Sequence, residues 1–163
     1  MCIRDRFHTG DAGYLKDSHL YLTERIKDLF KTSNGKYISP QALETKLAID
    51  RYIDQIAVIA DERKFVSALI VPVYGFVKDY AKEKGIAYSN MDELLQHPKI
   101  QALFRARIDT LQQQFAHYEQ VKRFTLLTEP FSMERGELTN TLKLKRSVVA
   151  KNYKGLIDKM YEE

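Results

Sequence analysis

The sequence predicts an α+β domain in which a short β-hairpin and a mainly three-stranded sheet are flanked by helices, with a helical insertion between strands. Three observations predict it. Two β-branched runs, residues 53–60 and 65–73, are separated by only four polar residues, which is hairpin spacing. A third run of strand character, 121–127, follows a long stretch whose apolar residues recur with helical period. No internal repeat, low-complexity segment or linker interrupts the chain beyond about Arg25, so one compact unit is expected.

In chain order, residues 7–38 read as small strands and turns. Gly10, Gly13 and Asn34-Gly35 punctuate the short β-like stretches 14–15, 19–22 and 26–31. A first helix starts at Ser39-Pro40 and runs to about Ile49: Ser39 caps, Pro40 suits the first helical position, and Ile38 staples against Leu43. The strands 53–60 and 65–73 carry apolar residues at alternate and intervening positions, so their sheet is covered on one face and partly on the other.

From Phe76 to Phe115 the pattern is helical. Pro98 opens a helix whose stripe is Ile100, Leu103, Phe104, Ile108, Leu111 and Phe115, with Gln112 to Gln114 off that stripe. After the strand at 121–127, Pro130, Gly136 and Asn140 predict an irregular stretch over 128–142. One last helix is predicted from about Lys145 to Tyr161. Its apolar face is Val149, Tyr153, Leu156 and Met160, and Lys151, Lys154 and Lys159 face solvent.

Composition narrows the function classes. With 163 residues, 44% of them hydrophobic, the chain can bury an ordinary single-domain core without staples. A formal charge of +4, with both signs interspersed, permits anionic ligands without specifying nucleic acid. The single cysteine, Cys2, excludes an internal disulfide and a Cys-cluster metal site, and the four histidines lack metal-ligand spacing, so no metal site is expected. The longest apolar stretch, 65–77, is too short and too interrupted to cross a bilayer, and the first residues lack the apolar core of a secretory signal. These features predict a soluble, cytoplasmic protein.

Three segments could carry chemistry. In Phe7-His8-Thr9-Gly10-Asp11, a Gly-Asp turn at a strand end is by itself an ordinary turn, but a turn-held Asp11 presents carboxylate oxygens suited to the two hydroxyls of a ribose. Arg25 could add a planar donor fork to the same sugar or a phosphate, or sit in a surface ion pair. In the second segment, residues 24–40, the small residues 32–35 let a loop approach a ligand closely; Asn34-Gly35 equally reads as a plain hairpin turn. The third, residues 131–146, is a Thr-rich loop delivering lysines before a basic helix. It suits a mobile cation at a phosphate, while Lys145 and Arg146 alone read as a solvated helix start.

The order and spacing of these segments resemble the C-terminal region of the adenylate-forming acyl-CoA synthetases. The segments Phe7-His8-Thr9-Gly10-Asp11, Arg25-Ile26-Lys27-Asp28 leading to Gly35-Lys36-Tyr37-Ile38-Ser39-Pro40, and Leu138-Thr139-Asn140-Thr141-Leu142-Lys143-Leu144-Lys145-Arg146 look most like the long-chain fatty acid branch, as does the insertion at about 76–118. The resemblance runs from about Phe7 to the end. Residues 1–6 do not match and are expected to be a non-family leader from a truncated or misassembled reading frame. By the same resemblance, 7–24 are the last strands of a large N-terminal AMP-binding domain and 25–163 are the C-terminal lid.

The resemblance implies an ATP-dependent long-chain fatty acid–CoA ligase, of which this chain is a piece that is inactive alone. It assigns Lys143 as the catalytic lysine, Asp11 and Arg25 as ribose contacts, Lys27 as the hinge of the lid, and Gly35 as the loop that reaches the coenzyme A channel. ATP/AMP, Mg2+ and coenzyme A enter as substrates of the complete enzyme, with none expected bound to this piece. The implied partners are the N-terminal domain, the fatty acid, ATP and coenzyme A, with no specific nucleic acid. The cytoplasmic setting leaves a peripheral membrane association of the intact enzyme open. In the commonest family form a glycine precedes the lysine; here Leu142 does, and Lys145 remains a rival. The alternatives are the lid of a fatty-acyl-AMP ligase and a non-catalytic interaction module.

Overall fold

The computed structural model describes residues 2–3, 6–7, 9–25 and 28–162, with side chains excepted at 2, 3, 6, 7 and 23–25. Its centre is a three-stranded sheet of β7 (Ile53–Ile59), β8 (Val66–Pro72) and β9 (Val121–Leu126), in that order. The expected hairpin is present: β7 and β8 pair antiparallel, with Ile56 opposite Ile70 and Ala57 opposite Leu69. β9 lies parallel to β8, with Ala68 opposite Phe124.

That parallel pairing gives the region between β8 and β9 its place in the fold. Parallel neighbours need a long crossover connection. Here it contains α2 (Tyr74–Glu83), α3 (Met91–Gln96) and α4 (Pro98–Leu111), and it covers one face of the sheet. Every residue of β8 is buried, so the sheet is covered on both faces there, more fully than its pattern predicted. Ala68 and Ile70 pack with Val77, Leu94, Phe104 and Ile108 from the crossover, and with Leu43 and Leu47 of α1 (Pro40–Leu47). Leu69 and Val71 point the other way, onto Phe131, Leu138, Val149 and Ile157. Two cores on opposite faces thus follow from the period-two alternation of one strand.

Local signals explain the helix starts. Ser39 Oγ accepts from the Ala42 N–H at 3.3 Å, Pro40 occupies the first turn of α1, and Ile38 and Leu43 are both buried. Pro98 opens α4, with His97 Nδ1 accepting from the Lys99 N–H at 3.2 Å.

The end of α4 departs from expectation. The helix stops at Leu111 rather than Phe115, and Gln112 is buried. Its side chain imitates a strand: Oε1 accepts from the Val121 N–H at 2.8 Å, and Nε2 donates to the Val121 carbonyl at 3.4 Å. A glutamine that closes both backbone groups of the first residue of β9 cannot lie on a solvated face.

The single last helix is also corrected. The chain forms α5 (Arg146–Asn152) and α6 (Lys154–Tyr161), broken at Tyr153, whose ring packs edge-on against Phe131 at 5.8 Å. The break turns the second half of the apolar stripe, so Ile157 is buried in place of Leu156. Tyr161 then fastens α6 to the sheet, its hydroxyl lying 2.8 Å from Ser67 Oγ and donating to the Ile59 and Phe65 carbonyls.

Before the sheet, the described residues form three short antiparallel strand pairs. The backbone of β1 (Cys2–Ile3) pairs with β2 (Arg6–Phe7). β3 (Asp11–Lys16) pairs with β4 (His19–Arg25) through a two-residue turn in which Asp17 and Ser18 both have positive φ. Gly13 is required in β3, because a Cβ there would stand 2.5 Å from the Tyr21 carbonyl oxygen. Tyr14 and Tyr21 stack across this hairpin, and with Leu15, Leu20 and Leu22 they remain exposed. β5 (Phe30–Lys31) and β6 (Tyr37–Ile38) form the third pair.

Candidate functional site

An open cleft of about 590 Å³ lies between the start of α1, the strand entry at residues 28–30 and the stretch that leads into α5; Asp28, Phe30, Gln41, Glu44, Lys143 and Arg146 line it. Its floor is an ion pair. Arg146 Nη1 and Nη2 donate to Glu44 Oε1 and Oε2 at 2.5 and 2.6 Å, and Oε1 also accepts from the Val58 N–H of β7 at 2.8 Å. A bidentate guanidinium–carboxylate pair fixes both side chains in a plane. The same guanidinium lies 5.5 Å from the centroid of the Phe30 ring. Arg146 is therefore not part of a solvated helix start. No sequence signal announces its partner, which is 102 residues away.

Lys143 stands on the rim of this cleft at the end of a tight loop. Leu138 and Leu144 form an isolated antiparallel bridge, the Thr139 N–H donates to the Lys143 carbonyl at 2.8 Å, and the Leu142 N–H donates to the Thr139 carbonyl at 2.9 Å. Thr139 Oγ1 accepts from the Thr141 and Lys143 N–H groups at 3.3 and 3.1 Å. The threonines thus satisfy the loop's own backbone and leave the lysine side chain exposed. Among the described residues no ion pair engages Lys143. Lys145 is held by its backbone, which donates to the Glu137 carbonyl at 2.8 Å, and is not among the residues lining the cleft.

Leu142, where the resemblance leads one to expect glycine, has φ +59 and is 68% exposed. A left-handed backbone disfavours any L side chain. The position therefore has a conformational reason to be glycine, and the leucine is accommodated by pointing outward.

The other expected site residues fall elsewhere. Asp11 and Arg25 are Cα partners directly opposite each other in the β3–β4 hairpin. Gly10 precedes Asp11 with φ +80, and the Asp11 N–H donates to Thr9 Oγ1 at 3.2 Å, so the turn is closed locally. Asp11 does not line the Lys143 cleft, and the Arg25 side chain lies outside the described residues. Lys27 lies outside the described residues; Asp28, the residue after it, lines the cleft.

Gly35 closes the β5–β6 hairpin with φ +74 and open space where a Cβ would project. Its N–H donates to the Thr32 carbonyl at 2.8 Å, and the neighbouring Ser33 N–H donates to the Arg63 carbonyl at 3.1 Å, which docks the turn on the β7–β8 connection.

Sequence reading missed Glu44 and Glu137. Glu137 is fully buried in a stretch of polar, turn-forming residues. Burial raises its pKa, but hydrogen bonds from Asn152, Ser132 and Arg135 outweigh that and hold the carboxyl below the usual carboxylate range.

The fold is a three-stranded sheet covered by helices on both faces, with one exposed lysine beside a cleft at the start of α5. The model of the AMP-binding enzyme C-terminal domain matches residues 27–163, and the chain belongs to that family. Among curated proteins it is similar to the peroxisomal long chain acyl-CoA synthetase 7 of Arabidopsis thaliana, 34% identical over 96% of this chain and 23% of that protein. It is 35% identical to the long-chain-fatty-acid–CoA ligase 5 of Rattus norvegicus, over 95% of this chain and 23% of the ligase. The chain therefore spans about a quarter of the length of these relatives. Among solved structures, the adenylation domain of a carboxylate reductase from Mycobacterium chelonae superposes with a TM-score of 0.78, at 23% identity over 96% of this chain and 23% of that domain. That likeness establishes the fold.

Proposed function

We propose that this chain is the lid of an ATP-dependent long-chain fatty acid–CoA ligase, working with an N-terminal domain that supplies the adenine and acyl sites. The observation that carries the proposal is the Lys143 loop, a hydrogen-bonded hairpin tip that holds its backbone rigidly and exposes one ammonium group beside a cleft. Identity above 30% to curated long-chain synthetases over nearly the whole chain supports the substrate class.

The reaction has two halves. A fatty carboxylate oxygen attacks the α-phosphorus of Mg-ATP; the bond to the bridging oxygen of the β-phosphate breaks, and pyrophosphate leaves with its electron pair. Two anions must meet, and a Lys143 ammonium between carboxylate and phosphate oxygens stabilises the charge that develops. The Asp11 carboxylate accepts from the ribose hydroxyls, and Arg25, opposite it in register, donates to the same sugar.

In the second half the thiol of coenzyme A gives up its proton to solvent, its sulfur attacks the acyl carbonyl carbon, and the bond from that carbon to the phosphate oxygen breaks, so AMP leaves with the electron pair. The lysine must withdraw for the thiol to enter. Rotation of the lid about Lys27 does this and brings the Gly35 turn to the pantetheine channel, so one small domain serves both steps. The proposed setting is the cytoplasm; no helix among the described residues is long and apolar enough to cross a membrane.

The test is product analysis with the complete enzyme carrying this domain, supplied with ATP, coenzyme A and either long-chain, short-chain or aromatic acids. The proposal expects long-chain acyl-CoA and AMP. Acyl-adenylate released without thioester formation, or turnover of aromatic or short acids alone, would contradict it.

A further inference from the structure

We infer that Glu137 is a positioning residue for Lys143, clamping the base of the lysine loop so that the ammonium stands at a fixed place when the acyl-adenylate forms. The inference rests on the role proposed above for Lys143. Glu137 lies six residues before the lysine, at the near end of its loop, and its backbone bonds to the far end of the loop and to the turn that precedes it. Its N–H donates to the Ser132 carbonyl at 3.0 Å, and its carbonyl accepts from the Lys145 N–H at 2.8 Å, immediately beyond the Leu138–Leu144 bridge.

The carboxylate extends this clamp to two other segments. Oε2 accepts from the Ser132 N–H at 3.0 Å and from Arg135 Nε at 3.1 Å; Oε1 accepts from Asn152 Nδ2 of α5 at 3.1 Å. Arg135 is held in turn by Glu129 at 2.7 Å and by the Pro130 carbonyl. A buried carboxylate is tolerated only when its lone pairs are met, and here donors from the 132–135 turn and from α5 meet them.

Packing alone does not call for this arrangement. Leu138, Phe131 and Val149 already fill the adjacent core, and an apolar residue at 137 would add to it without fixing direction. A charged group bonded to the 132–135 turn and to α5 sets the orientation of the loop base, and misplacing a catalytic group by about 1 Å can cost on the order of a hundredfold in rate.

The experiment uses the complete enzyme carrying this domain, with E137Q and N152A made singly and in a K143A background. N152A removes one donor, leaves the carboxylate in place and changes an exposed residue, so it tests the idea even where E137Q folds poorly. Single-turnover rates are measured for adenylation and for thioester formation from supplied acyl-adenylate. The expected result is an adenylation rate about tenfold to a hundredfold lower in E137Q and several-fold lower in N152A, with KM for ATP and the thioester step unchanged. In the K143A background neither variant should lower adenylation further. Equal losses in both half-reactions, or losses that add to those of K143A, would overturn the positioning role. Normal adenylation by K143A itself would overturn the role of Lys143, and the positioning role with it.

Discussion

Glu44 and Arg146 form a bidentate ion pair that joins α1 to the start of α5 beneath the lysine-bearing loop, and the same carboxylate closes the Val58 N–H of the sheet. Removing it leaves a half-buried guanidinium and a buried backbone N–H without partners. Glu44→Ala should therefore destabilise the chain by about 2 kcal/mol, and Glu44→Gln, which keeps an acceptor, by less. For a chain of this size the alanine variant should melt roughly 4–8 °C lower. An unchanged melting temperature would show that the pair contributes nothing net.

Leu142 stands at φ +59 with most of its side chain in solvent, so it gains little burial in return for a disfavoured backbone. Leu142→Gly should hold or raise stability, with up to about 1 kcal/mol of relief, and Leu142→Val should lower it by about 1–2 kcal/mol, because β-branching worsens the left-handed conformation. Thermal unfolding of the two variants against the parent decides it; equal behaviour would remove the conformational explanation for glycine at this position.

Hydrogen bonds hold the Glu137 carboxyl below its ordinary value of 4.5. A carboxyl whose folded pKa is depressed contributes stability above its unfolded pKa and loses it as pH falls through the folded value. The stability gap between the parent and Glu137→Gln, measured by denaturant unfolding, should be widest near neutral pH and shrink below about pH 4.5. A gap that stays constant as pH falls would contradict an ionised, bonded carboxylate.

Tyr74 behaves oppositely at the alkaline end. Burial first, then the charges of Asp54 and Glu129, push its phenol up to about 12, and its hydroxyl donates to the Leu127 carbonyl at 3.1 Å. Because the protonated form is favoured in the folded chain, the stability it contributes is complete below pH 10 and is lost as pH rises toward 12. Ultraviolet titration should show Tyr74→Phe lacking a late-ionising component. A missing component near pH 10 would place the phenol in open solvent.

What was legible in the sequence was local. Ser39-Pro40 and Pro98 announce helix starts because caps act within one turn, and the four-residue connection at 61–64 announces a hairpin because its geometry is short-range. The parallel placement of β9 was not legible, since it depends on a crossover of some fifty residues. The break at Tyr153 was hidden because Tyr153 keeps helical spacing, and the Phe131 ring it packs against lies outside the helix. The burial of Glu137 and Gln112 was not legible, because it comes from partners that only the folded chain supplies. Of the site, the lysine loop was readable through its motif, whereas the Glu44–Arg146 floor of the cleft was not.

The central claim is that Lys143 serves the adenylation half-reaction and withdraws for the other. The most direct measurement is single-turnover kinetics of both half-reactions in the complete enzyme carrying Lys143→Ala or Lys145→Ala. Lys143→Ala should slow adenylation on the order of a hundredfold or more, comparable to losing one preorganised charge-stabilising donor, while thioester formation from supplied acyl-adenylate stays near the parent rate. Equal loss in both halves, or a larger adenylation defect from Lys145→Ala, would contradict the account.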